Sequence, residues 1–76
     1  MDTNAFLCGL SGEIMVDPVI VCFTSDQALV VGVSYERATL EHRLALRSDE
    51  ETRYVPNPAL QSLIAAFHRI EMNEMM

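Results

Sequence analysis

The sequence predicts an α+β domain built from a β-hairpin, a central helix, a short third strand and a C-terminal helix. Three observations carry that prediction. Val19-Ile20-Val21-Cys22-Phe23 is β-branched and aromatic, and Ala28-Leu29-Val30-Val31 follows after the polar break Thr24-Ser25-Asp26-Gln27. Two such runs around a short break read as an antiparallel hairpin. Leu40 and Leu44 stand four apart, so they share one face of a helix. Asn57-Pro58 then places a capping residue ahead of a first-turn proline, and Leu60, Leu63, Ile64, Phe67 and Ile70 follow at helical spacing.

The elements can be justified in chain order. Residues 1–5 are expected to be a loose lead-in. Phe6-Leu7-Cys8-Gly9-Leu10 reads as an apolar loop closed by Ser11-Gly12, after which Ile14 and Met15 point toward a core. Asp17-Pro18 makes a rigid turn before the first strand. Ser34 is placed to cap a short amphipathic helix that starts at Tyr35 and ends near Leu46, with Ala38 and Ala45 extending its apolar face. Ser48-Asp49-Glu50-Glu51-Thr52 reads as a solvated acidic loop, and Arg53-Tyr54-Val55 as a short strand. Residues 72–76, with Met72, Met75 and Met76, continue apolar without a stop signal and are expected to fray.

Composition excludes several functional classes. The chain has 76 residues, half of them hydrophobic, which suits one domain with one modest core. A core of this size leaves room for a homodimer contact or a flanking helix. No apolar run approaches the ~20 residues that span a bilayer, and the acidic start does not resemble a signal peptide. The expectation is a cytoplasmic chain. Net charge is −6 and all five basic residues are arginines, scattered at 37, 43, 47, 53 and 69. Nucleic acid and anionic membranes both require a basic patch, so neither is an expected partner. Cys8, Cys22, His42 and His68 are singly spaced, without the close cysteine pair of a structural zinc site. Both cysteines read as buried free thiols, and no metal or other cofactor is expected.

Three blocks, "FLCGLSGEIMVDPVIV", "GVSYERATLEHRL" and "VPNPALQSLI", stand in this order and cover most of the chain. Together they resemble the U-box domain of ubiquitin ligases, which typically reads F-x-C-P-I-x-x-E-x-M-x-D-P-V, then G-x-x-Y-E-R-x-x-I-x-x-W-L, then Pro-Asn before a helical L-x-x-x-I. The resemblance implies a small zinc-free RING-like fold, in which polar side chains pin the two loops that metal holds in a RING. Asp17, Glu36, Arg37 and Asn57 are the candidate pinning residues, with Asp17 expected to accept backbone amides at its turn.

The resemblance also implies an activity by positioning. The domain would bind a ubiquitin-conjugating enzyme and favour attack by a lysine of a protein substrate, with no covalent intermediate of its own. The residues agree to the extent that no nucleophile–base pair is visible. Leu10 matches the apolar position of the first loop, and Arg43 stands where the family usually has tryptophan. The implied enzyme contact is Leu10, Gly12, Arg43 and Arg47, where Arg47 or Arg53 would stand in for the basic residue that follows the family's second loop. There are departures: Gly9 replaces the family proline, and the stretch from Leu44 to Pro56 is short for a second loop and lacks Cys-Pro. The segment between Ile20 and Gly32 is longer than the family's. A second reading follows, a U-box-like module used only for protein binding, with Phe23, Val30 and Val31 as its interface. Such divergence is also what a bacterial effector acting in a host cytosol would show.

Overall fold

The computed structural model describes residues 4–74, with side chains through residue 70. It is an α+β domain whose three-stranded antiparallel sheet packs with two helices. Asn4–Phe6 form a 3-10 turn, followed by β1 (Pro18–Phe23), β2 (Ser34–Glu36), α1 (Arg37–Leu46), β3 (Arg53–Pro56) and α2 (Pro58–Glu74). Among the described residues no helix is long and apolar enough to cross a membrane. Residues 1–3 of the lead-in lie outside the described residues, as do Met75, Met76 and the side chain of Met72.

The sheet order is β2-β1-β3, so the apolar strand lies in the middle. Pro18 opens β1, where its missing N–H costs no interior ladder bond. Val19 pairs with Tyr35 on one side and with Pro56 on the other. Val19 and Val21 are buried with Tyr35, Leu40, Leu44, Met15, Cys8, Leu29, Ile64, Phe67 and Phe6. A shift of register between Val21 and Phe23 opposite β3 leaves Cys22 as the extra residue of a bulge. Strict alternation would place Phe23 on the same buried face as Val19 and Val21. The bulge resets that alternation, and Phe23 emerges to solvent. Cys22 is likewise exposed, against the expectation of two buried thiols, while Cys8 is buried as expected.

The hairpin exists with a different second strand. Ala28–Val31 is a loop, and the strand opposite β1 is Ser34-Tyr35-Glu36. The reason is local hydrogen bonding. Asp26 accepts the Ala28 amide on Oδ1 and the Leu29 amide on its carbonyl, and Tyr35 Oη accepts the Val30 amide. With those amides engaged in turns, the valines have no ladder to join, and only Leu29 of this run is buried. Gly32 turns the chain back at φ +86°. Ser34 therefore does not cap a helix. It lies in β2, and α1 starts at Arg37 behind Glu36, without a side-chain cap.

α1 ends at Leu46, as its leucine pattern predicts, and buries Leu40 and Leu44, although Ala38 and Ala45 are exposed. α2 starts as Asn57-Pro58 predicts. Asn57 Oδ1 accepts the Leu60 amide at 3.1 Å, the geometry of a helix cap. Ile64 and Phe67 bury against the sheet, and the Phe67 ring packs against Phe6 with centroids 5.5 Å apart. Leu63 and Ile70 of the same apolar series are exposed instead.

Candidate functional site

Two polar networks set the shape of one face of the molecule. The first closes the loop of residues 7–17. Cys8 donates its amide to Glu13, and Gly12 turns the chain at φ +74° while donating to the Cys8 carbonyl. Glu36, at the end of β2, reaches across to accept the amides of Val16 at 2.8 Å and Asp17 at 3.1 Å. The carboxylate that receives backbone amides is thus Glu36 rather than Asp17. Asp17 instead accepts Arg37 Nε at 2.7 Å, and its carbonyl takes the Arg37 amide. Asn57 joins β2 to α2 by donating to Ser34 Oγ at 2.9 Å while it caps the helix. The fold brings all four of Asp17, Glu36, Arg37 and Asn57 to one end of the sheet.

Cys8 belongs to this first loop. Burial pushes its thiol up, but donors at Glu36, Ser11 and Leu10 outweigh burial and leave it below its ordinary value. The Glu36 amide, the largest of these contributions, lies 3.3 Å from Sγ. The sulfur therefore works as an acceptor inside the loop.

The second network was not visible in the sequence. Asp26, from the long β1–β2 connection, has a side chain only 5% exposed. It meets Arg43 as a fork, Nε to Oδ2 at 2.9 Å and Nη2 to Oδ1 at 3.1 Å. Arg47 Nε approaches the same Oδ2 at 3.3 Å. The Arg43 hydrogen bond, then the Ala28 amide, hold the Asp26 carboxyl down at about 2. Next to it, Thr52 is buried and donates to Asp49 Oδ2 at 2.7 Å, while Asp49 Oδ1 accepts the amides of Glu51 and Thr52. Those bonds hold the Asp49 carboxyl below its ordinary value, with the Thr52 hydroxyl the largest contributor. Thr24 and Thr52 hydroxyls lie 2.8 Å apart and tie this loop to the β1–β2 connection. The acidic stretch 48–52 is consequently a pinned turn rather than a merely solvated loop. The one cue in the sequence was Asp49 three residues before Thr52, a spacing at which a side chain can close its own turn.

Between the two pinned loops lies an open groove of about 330 Å³, lined by Leu10, Thr39, His42, Arg43, Leu46 and Arg47. Leu10 comes from the first loop and is half-buried against the core. Leu46, at the end of α1, is 74% exposed. The groove thus brings Leu10 from the first loop to Arg43 and Arg47, one turn apart at the end of α1, and adds Leu46. Gly12 shapes the turn beside Leu10 but does not line the groove. A second apolar surface lies on the β1–β2 connection, where Phe23, Val30, Val31 and Val33 are exposed.

Among the described residues no three His, Cys, Asp or Glu side chains converge as a metal site. No buried side-chain nitrogen or oxygen among them lacks a hydrogen-bond partner. Chemically the groove offers two leucine side chains beside two guanidinium groups, which suits a protein surface. In comparisons with known proteins, no family model, curated protein or solved structure matches this chain.

Proposed function

We propose that the domain is a divergent U-box module of a ubiquitin ligase, which docks a ubiquitin-conjugating enzyme in the groove between its two loops. The observation that carries this reading is the meeting of Leu10 with Arg43 and Arg47 in one groove. The motif blocks assign the enzyme contact to Leu10 and Arg43, Arg47 follows the second block as a stand-in for the family's basic residue, and the groove adds an exposed apolar side chain, Leu46, at its rim. The two hydrogen-bonded networks support it further, because they close two loops with side-chain and backbone bonds, as a metal-free relative of a RING must.

The module would act by positioning. Holding the conjugating enzyme restricts the thioester-linked ubiquitin to orientations open to attack, and the rate gain is a population shift rather than acid–base chemistry on the ligase. The chain carries no lysine, so it offers its own partner no side-chain amine to modify. A substrate lysine must come from outside these 76 residues.

A second reading is favoured by one observation, the exposed apolar group Phe23, Val30, Val31 and Val33. Single exposed apolar residues are ordinary, but these four fall within one short stretch of chain, residues 23–33, which suits a contact surface. Under this reading the module binds a protein through the β1–β2 connection and recruits no conjugating enzyme.

A ubiquitination assay separates the two. Wild type and Leu10→Ala are compared against a panel of conjugating enzymes, with a lysine-bearing substrate supplied. The ligase reading expects chains with wild type and their loss with the variant, at a stability cost of about 1 kcal/mol for a half-buried leucine. A folded wild type that is inactive with every enzyme moves the assignment to the binding-only module.

A further inference from the structure

Taking the groove as the conjugating-enzyme site, we propose that Arg47 determines its specificity, selecting partners that carry a carboxylate side chain beside the apolar side chain that fills the groove. One carboxylate, Asp26, stands between two guanidinium groups. Arg43 engages both of its oxygens and is largely covered, so this pair is complete. Arg47 touches a single oxygen at the longer distance of 3.3 Å, and its side chain is 55% exposed. Among the described residues Asp26 is the only carboxylate within ion-pair distance of either arginine. Of the three ion-paired groups, two are positive and one negative, and the further carboxylates of Asp49, Glu50 and Glu51 lie on the hollow side of Arg47.

Geometry directs that charge. Arg47 lines the apolar groove on one side and, on the other, a polar hollow formed with Ser25, Asp49, Glu50 and Glu51. In the hollow, Asp49 is engaged by Thr52 and Glu51 by Ser25. An incoming carboxylate is repelled from the hollow and accepted on the side of Leu10 and Leu46. The guanidinium fork matches a carboxylate with two parallel bonds. A basic residue at the same partner position would face Arg47, and like-charge contact is an effective way to reject a partner.

The test uses purified conjugating enzymes of known sequence, with affinity measured by calorimetry against wild type, Arg47→Ala and Arg47→Glu. Thermal melts check that both variants remain folded; Arg47→Ala leaves the Arg43–Asp26 fork in place and should be the milder of the two. Enzymes that bind should carry Asp or Glu next to their apolar contact residue. Arg47→Glu should weaken binding about tenfold or more. Changing the partner's carboxylate to arginine should restore the affinity of Arg47→Glu. If Arg47→Glu binds as wild type does, or the charge swap restores nothing, the specificity proposal falls while the docking reading stands. If folded wild type binds no conjugating enzyme, both fall.

Discussion

The two loops of this domain are closed by different chemistry. The first, residues 7–17, is held mainly through its backbone, with Glu36 taking two amides and Gly12 and Cys8 closing the turn. Its one ion pair, Arg37 with Asp17, is partly exposed on both sides. The second couples residues 24–30 to residues 43–52 through a covered carboxylate between two arginines and a chain of hydroxyls from Thr24 to Thr52 to Asp49. Backbone amides must be satisfied in any folded state, so an acceptor aimed at them acts as a structural fixture. An ion pair depends on the charge of both members. The second loop should therefore weaken in acid as the Asp26 and Asp49 carboxyls, both held below their ordinary value, take up protons.

Mutations can break this comparison, and the largest effect is expected at Glu36. Glu36→Ala strands two amides at once and should cost about 2 kcal/mol in a denaturant titration. A variant as stable as wild type would show that water satisfies those amides equally well. Thr52→Val is nearly isosteric but leaves Asp49 and Thr24 without their shared hydroxyl. A loss of about 1–2 kcal/mol is expected, read from the same titration. Asn57→Ala removes the α2 cap and the link to Ser34, and should lower stability by about 1 kcal/mol. Asp17→Ala, which deletes only a partly exposed ion pair, should cost less than about 1 kcal/mol. If Asp17→Ala proved more damaging than Glu36→Ala, the assignment of the first loop to backbone closure would be wrong.

Acid sharpens the contrast further. The Asp26 carboxyl lies at about 2, against an ordinary 3.8. A carboxyl depressed in the folded state contributes stability that is fully present above its ordinary value and is lost as pH falls through the folded one. Melting temperature should therefore drop as pH is lowered from about 4 toward about 2. Asp49, shifted in the same direction, adds to that drop. Asp26→Asn should start less stable and show a shallower acid slope. Parallel slopes for the variant and wild type would place the acid sensitivity elsewhere.

The same contrast explains what could be read in the sequence. Asn57-Pro58, the leucine spacing of α1 and the β-branched core of β1 are local signals, and the structure follows each of them. Asp17, Glu36, Arg37 and Asn57 could be singled out because they lie inside contiguous motif blocks. Asp26 could not, because its role depends on α1 arriving 17 residues later with Arg43 on the facing side. The misplaced strand has a related cause. Ala28–Val31 has the composition of a strand, but β-propensity describes fitness for a half-buried pleated surface rather than a commitment of the backbone. Asp26 and Tyr35 took the amides first. The exposure of Phe23 is equally nonlocal, since it follows from a bulge that exists only against β3.

The most direct test of the account is an amide chemical-shift titration of the isotope-labelled domain with a conjugating enzyme that is active in the ubiquitination assay or, if none is active, with each member of the panel. The account predicts shifts concentrated at Leu10, Arg43, Leu46 and Arg47, with Phe23, Val30 and Val31 unmoved. Shifts centred on the β1–β2 connection, or none with any enzyme, would contradict the assignment of the groove as the docking site.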